Sequence, residues 1–542
     1  MSTAPADFDA IVARTSNVES DGPEPTGSRF DEWWDSRSFT VRRAFRWGAP
    51  VLVVIVAAIA RLWNLGKPAS LIFDETFYVK DGWTLWNLGY EARWPGKADE
   101  LFNGGQVFAF TTDPSFVVHP PLGKWIIGLG MELLGPTNTV GWRISTAVVG
   151  ILAVILLMVI ARYLFNSMLL ATVAGLLMAV DGNAIVMSRV AILDNSVMFF
   201  ALLGFGAILL DRAWSARRLQ LWLDARAAAG RTTTWGPALW WRPWLIAAGV
   251  AFGATSAVKW SGLYFLAFFA VYTLVVDAVA RRKAGIPFWL SGTILKQAPT
   301  TFLLMVPIAL ATYLSTWTGW FLSTNGYSRT FADGEGHAWT GALAWVPHSL
   351  QSLWHFEVLV YQYNVGEMRP HAYQANPLSW LLMIRPTSMY YQSSSFGQNG
   401  CAVDSCGVSI TGIANPLIWW AATAAAFYLT YRLARYREWR VGLILAGLAA
   451  GYLPWLLYLN RTVFQFYTIA FEPYLILALT LVIGMILGTS RDPRDVRTRR
   501  LRLVSIYFAL VLVISAFYYP LWAGIQLDYW AIAAHWWLPT WR

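Results

Sequence analysis

Two adjacent carboxylates, Asp74 and Glu75, stand in the stretch LIFDETFYVKDGW, a few residues beyond the first long apolar run. Acidic residues suit the first turn of a helix, where the macrodipole favours negative charge. A carboxylate just outside a membrane span also suits removal of a proton from an incoming hydroxyl. Basic residues elsewhere favour the second use. Arg61 closes the first apolar run, while Lys124, Arg143, Arg189, Lys259 and Arg461 stand near the ends of later ones. Each ionisable group near a span is costly unless paired or hydrated, so each needs a reason. Plainer readings exist one by one: Arg189 with Asp194 as an ion pair, Arg61 and Lys259 as side chains snorkelling to the surface, His119-Pro120-Pro121 as a helix start, and Glu472 as a local cap. Grouped beside an acidic pair, they suit a site where cations hold an anionic lipid headgroup as leaving group and a carboxylate activates the nucleophile. The residues therefore point to a membrane transferase using a phosphate-linked lipid on the non-cytoplasmic face.

The elements that must position these groups follow from composition. Of 542 residues, 56% are hydrophobic and only 13% charged, about half the charged share of a soluble protein. The 32 tryptophans fit two membrane interfaces. Eleven apolar runs are long enough to be read as spans, near 49–66, 141–164, 168–183, 194–211, 243–258, 262–280, 298–321, 413–431, 441–459, 470–488 and 503–522. The net charge of +10 gathers in short loops: Arg212–Arg242, Arg281–Lys283, Arg432–Arg440 and Arg491–Arg502. Such loops mark the cytoplasmic side and touch anionic lipids; nucleic acid is not an expected partner. The amino terminus then lies inside and the carboxyl terminus outside. No cleavable signal peptide is read at the start, and residues 1–48 are expected to be a mostly disordered cytoplasmic tail.

Two long segments fall outside, 67–140 and 323–412. In the first, Val79, Trp83, Trp86 and Tyr90 recur at helical spacing, which predicts an amphipathic helix on the membrane surface with the acidic pair at its start. HPPLGKWIIGLGMELLG predicts a short interfacial or re-entrant helix. All six histidines fall on the external side, and His348 and His355 are read as packing residues in preference to metal ligands. Cys401 and Cys406 lie in one external loop, where a disulfide is expected, free thiols being the alternative. No metal site is expected. The absence of an internal repeat weighs against a transporter.

One ordered series carries a family resemblance: Arg61, FDE at 73–75, HPPLGK at 119–124, WR at 142–143 followed by Ser145, SRVAILD at 188–194, and KWSG at 259–262. In this series the chain resembles the protein O-mannosyltransferases, integral-membrane glycosyltransferases of the GT-C class. The resemblance implies an all-α GT-C fold, with about eleven transmembrane helices and amphipathic interfacial helices in a long first external loop. It implies a catalytic module over 49–322 and carboxyl-terminal spans over 413–542. It further implies transfer of mannose, with inversion, from polyprenyl-phosphate mannose to Ser or Thr of secreted or membrane proteins, with no obligatory cofactor beyond the lipid-linked donor. Asp74 is the implied general base, and Glu75 its support or the residue that positions the acceptor. Arg61, His119, Lys124, Arg143, Arg189, Asp194 and Lys259 are the implied donor-binding or supporting residues. Residues 323–412 are too few for the MIR domain of eukaryotic relatives. This shorter loop resembles bacterial, particularly actinobacterial, members, which implies a plasma-membrane enzyme and a bacterial polyprenyl carrier; the protein secretion machinery is a candidate partner. The rival readings are a related GT-C transferase moving another sugar to lipid or glycan, and a lipid or solute transporter.

Overall fold

A computed structural model describes residues 28–542. The chain is mostly helical, and the part of the predicted tail within these residues is helical as well. Helix α1 (Arg29–Asp35) starts from a capping box at Ser28. Helix α2 (Phe39–Leu62) begins ten residues ahead of the predicted first span. The segment FTVRRAFRWG carries alternating basic and aromatic residues that favour a helix without being apolar enough to read as a span. Residues 1–27 of the predicted tail lie outside the described residues.

Among the described residues, seven helices are long and apolar enough to cross a membrane, or eight if a bent pair counts as one span, so this is a multi-pass membrane protein. Six of the seven, each covering one predicted run, are α2, α5 (Thr139–Phe165), α8 (Asp194–Ala228), α10 (Gly262–Lys283), α11 (Trp289–Ser315) and α16 (Arg494–Ala523); the seventh is Trp439–Leu457, whose α-helical part is α14 (Trp439–Tyr452). The bent pair is α6 (Met168–Ala179) and α7 (Gly182–Arg189), turned by 61°. Asp181 sits at that bend and accepts the N–H groups of Asn183 and Ala184, capping α7. The remaining predicted runs are also helices: α9 (Pro243–Val258), α13 (Pro416–Tyr436) and α15 (Glu472–Leu487). Almost every residue of α15 is buried, as expected of a helix apolar on all faces that forms the centre of a bundle.

Between α2 and α5 lie α3 (Glu75–Leu88) and α4 (Leu122–Leu134), the two predicted helices of the first loop. They pack on each other, and Val79 and Trp83 are buried; the surface-lying helix is thus largely inside the protein. Two glycines allow the approach. A Cβ on Gly82 would lie 2.8 Å from the carbonyl oxygen of Lys124, and one on Gly128 would lie 1.9 Å from Cδ1 of Trp86.

Residues 323–412 contain α12 (His348–Gly366) and two strands, β1 (Ser388–Ser395) and β2 (Ser405–Thr411). Together with β3 (Gln526–Asp528) these form an antiparallel sheet of order β1-β2-β3, which departs from the all-α expectation. The β1–β2 hairpin is closed by a disulfide between Cys401 and Cys406. His337 and His355 stack on Phe331, and His348 bonds to Asp333, so these histidines pack a loop.

Candidate active site

The adjacent acidic residues have separate fates. Glu75 opens the first turn of α3 and is fully buried. Its Oε1 accepts from Arg143 Nε at 2.7 Å and the Ala191 N–H at 2.9 Å. Its Oε2 accepts from Arg143 Nη2 at 2.7 Å and the Ile72 N–H at 3.1 Å. Four bonds fill the acceptor capacity of a carboxylate. Glu75 is thereby held as a structural anchor, with its acceptor capacity taken up inside the protein. Arg143 spends its remaining donors on the carbonyls of Leu65, Pro68 and Ser70, which clamps the loop running from α2 to the acidic pair.

Asp74 occupies the N-cap position of α3 without using its side chain as a cap. Among the described residues its carboxylate has no hydrogen-bond or ion-pair partner. The preceding Phe73 has φ +46°, a left-handed backbone that an aromatic residue adopts only when held there. Its ring packs edge-on against Phe464, Phe466 and His371. Burial pushes the Asp74 carboxyl up to about 6; the Lys259 charge opposes the rise and the Asp194 charge adds to it.

Lys259 and Asp194 form an ion pair at 2.6 Å. They line a cavity of about 110 Å³ together with His119, Asn364, Arg461 and Tyr467; Asp74 does not line it, but feels the charges of both. The His119 imidazole is held well below its ordinary range, first by burial and then by the charges of Lys259, Lys124 and Arg461, so it is neutral in the site. Arg461 departs from the other cations. Its Nη2 donates to Asn364 at 2.9 Å, its Nε is buried without a partner, and among the described residues no carboxylate pairs with it. A guanidinium left in this condition is suited to an oxyanion. Trp260 and Tyr361 of the cavity wall also line a neighbouring apolar groove of about 710 Å³ between α10, α11 and α12.

The other basic residues brace the site from behind. Arg61 is fully buried and does not snorkel; it donates to Ser188 and to the carbonyls of Ala57, Met178 and Ala179, capping the end of α6. Arg189 does not pair with Asp194. It donates to the carbonyls of Ala60, Arg61, Trp63, Asn64 and Ala523, closing the end of α2. Lys124 pairs with Glu91, both buried, and also donates to the His119 carbonyl at 2.9 Å. Arg189 and Lys124 hold the loops that carry Asp74 and His119, Arg61 ties α2 to α6 and α7, and none of the three lines the cavity. Glu91 and Asn364 carried no signal of their own in the sequence. Arg461 was visible as a charge at a helix end, but no motif marked it. Among the described residues, no group of three or more His, Cys, Asp and Glu side chains converges as metal ligands.

An unpaired buried carboxylate, a guanidinium without a carboxylate partner at a small cavity, and an apolar groove adjoining that cavity suit a membrane-embedded transferase. The chain belongs to the protein O-mannosyltransferase family. Residues 51–323 match the family model described as dolichyl-phosphate-mannose-protein mannosyltransferase, and residues 349–541 match the C-terminal four TMM region of protein-O-mannosyltransferase. The polyprenol-phosphate-mannose–protein mannosyltransferase of Mycolicibacterium smegmatis (strain MKD8) is 34% identical over 509 residues, covering 92% of this chain and 94% of that one. The protein of the same name from Mycobacterium tuberculosis is 31% identical, covering 92% of each. The fold is similar to that in the structure of the S. cerevisiae protein O-mannosyltransferase Pmt1-Pmt2 complex bound to the sugar donor, with a TM-score of 0.68, 15% identity and 95% of each chain covered.

Proposed function

We propose that this chain transfers mannose from polyprenyl-phosphate mannose to a serine or threonine hydroxyl of a polypeptide, with Asp74 as general base. The reading rests on the division within the acidic pair: Glu75 is saturated by four donors, and Asp74, one residue away, has none. The hydroxyl proton passes to Asp74 as the oxygen attacks C1 of mannose. The bond from C1 to the phosphate oxygen breaks, and its electron pair leaves with the polyprenyl phosphate. A single displacement inverts C1. Arg461 and Lys259 balance the phosphate charge, and neutral His119 offers one N–H to it or to the sugar. The apolar groove beside Trp260 and Tyr361 takes the first isoprene units of the carrier.

Topology completes the reading. All eleven predicted runs are helical, and we assign each as one crossing, with α6 and α7 together making the third. From this assignment we infer that the arginine-rich loops and residues 1–48 are cytoplasmic, that the catalytic module spans 49–322, and that the donor cavity opens on the external face of a bacterial plasma membrane. Residues 323–412 form an external segment without a MIR domain, and 413–542 supply the last spans. Acceptors then arrive as secreted or membrane proteins leaving the secretion machinery.

The test is transfer of radiolabelled mannose from synthetic polyprenyl-phosphate mannose to a Ser/Thr-rich peptide, comparing wild type with Asp74→Asn. Loss of a general base lowers the rate by about 10²–10⁴-fold, while donor binding persists. Robust transfer by the variant would remove Asp74 as base. Wild-type transfer of a different sugar, with none of mannose, would overturn the donor assignment.

A further inference from the structure

Some distance from the acidic pair, α2 does not end with its apolar stretch. The segment from Phe39 to Gly48 continues the helix past the apolar run, and Arg46 and Arg61 are fifteen residues apart on it, about 22 Å along the axis. Here α2, α1 and the start of α6 wall a groove of about 750 Å³. Its chemistry is divided. Arg42, Arg43 and Arg46 line one part with Arg497 of α16, and Trp47, Met168 and Leu169 line the other.

The basic part carries an excess of charge. Arg497 lies 3.4 Å from Asp31, and Arg42 reaches Asp35 only at 3.9 Å. Among the described residues, no ion pair or hydrogen bond is made by the guanidinium of Arg43 or Arg46. The wall opposite them is fixed. Asp31 and Glu32 of α1 both bond to α16, the second through Arg494 at 2.8 Å, and the Trp34 ring meets Phe45 edge-on at 6.1 Å. On the apolar side Trp47 and Leu169 are both more than half exposed, facing outward from the bundle.

We propose that this groove is a binding site for an anionic phospholipid of the leaflet at that end of the bundle. Its phosphate lies between Arg43 and Arg46 and its acyl chains run along Trp47 and Leu169. A guanidinium fork matches phosphate oxygens in pairs, and an exposed Trp one residue beyond Arg46 suits the headgroup level. A zwitterionic lipid brings its own ammonium into a groove that already holds uncompensated arginines, so the charge selects an anionic one. The site is separate from the donor cavity: it lies at one end of α2, and the loop to Asp74 departs from the other.

The purified full chain in detergent is titrated with phosphatidylglycerol or phosphatidylcholine, and bound lipid is counted by native mass spectrometry. The wild type is expected to retain phosphatidylglycerol in preference. Arg43→Gln/Arg46→Gln is expected to weaken that retention about 30-fold, which corresponds to about 1 kcal/mol for each arginine near a membrane surface. Arg217→Gln/Arg218→Gln removes the same charge from an exposed stretch of α8 and leaves retention unchanged. Arg43→Lys/Arg46→Lys keeps the charge and most of the retention, which separates the site from a folding defect. Three results would overturn the proposal: no preference for phosphatidylglycerol, equal weakening in both glutamine pairs, or displacement of the lipid by inorganic phosphate at matching concentration, which would assign the groove to a soluble anion.

Discussion

Mannose transfer should have an acidic limb with its midpoint near pH 6, set by Asp74. An ordinary aspartate, with a carboxyl at 3.8, would be ionised throughout the working range; burial brings this one up to about 6. At about one pH unit below the midpoint only about a tenth of the base is ionised, so kcat should fall about tenfold from its plateau. Two neighbours give the sign of a further shift. The Asp194 charge raises the Asp74 carboxyl and the Lys259 charge lowers it. Asp194→Asn removes the first influence and leaves Lys259 without its partner at 2.6 Å, so both changes move the limb to lower pH. The assay is transfer at saturating donor across roughly pH 4.5–8, with substrate and detergent held fixed. Two other carboxyls titrate in the same window: Asp81 of α3 and Glu357 of α12, each pushed up by burial to about 7. Asp81→Asn and Glu357→Gln should therefore keep the limb. A profile flat down to about pH 5, or a limb that moves to higher pH in Asp194→Asn, would refute the assignment.

Four further outcomes follow from the same geometry. The Asp74 carboxyl is raised on folding, so its contribution to stability is complete below about 3.8 and is lost as the pH rises through about 6. Asp74→Asn should therefore raise the thermal midpoint at neutral pH, by the equivalent of about 1–3 kcal/mol, while lowering transfer about 10²–10⁴-fold. Glu75→Gln leaves the Arg143 guanidinium buried without a counter-charge, which costs about 3–5 kcal/mol and should appear as a lower thermal midpoint at every pH measured. Arg461→Gln should weaken donor binding by about 10–100-fold, the loss of one charged hydrogen bond, read by titration of polyprenyl-phosphate mannose with thermal stability unchanged. Gly128→Ala drives a methyl into Trp86; the overpacking should cost about 1–3 kcal/mol and reduce transfer by shifting the helix that starts at Asp74.

The helices were legible because apolar length is a local property: each of the eleven runs is helical, the third as a bent pair, and among the described residues seven helices, or eight with that pair, are long and apolar enough to cross a membrane. Their ends were less legible. Helix α8 runs to Ala228, well past the predicted 211, because DRAWSARRLQLWLDARAA is a good helix former without being apolar. The first helix begins early for the same reason. The sheet escaped notice because SMYYQSSS has weak alternation and depends for its pairing on SCGVSIT and on three residues after the last span. In the site, the acidic pair and most of the basic residues were visible as charges out of place in apolar surroundings. Their partners were not. Arg189 and Asp194 are five residues apart and looked like a pair, but the chain reverses between α7 and α8, sending one to the end of α2 and the other to Lys259. Asp74 and Glu75 could not be told apart, because the partner that distinguishes them, Arg143, lies 68 residues away.

The bond from Arg189 to the carbonyl of Ala523 joins positions 334 residues apart. The same guanidinium closes the end of α2, from which the loop to Asp74 departs. This ties the site to the order in which a ribosome delivers the chain. While synthesis is in progress, the early helices can insert and meet one another, but the brace behind the catalytic loop stays incomplete until α16 has emerged and crossed. A half-made chain thus lacks one bond of that brace even though every motif residue is already translated. The last helix supplies the final bond of a brace that the first and early helices begin.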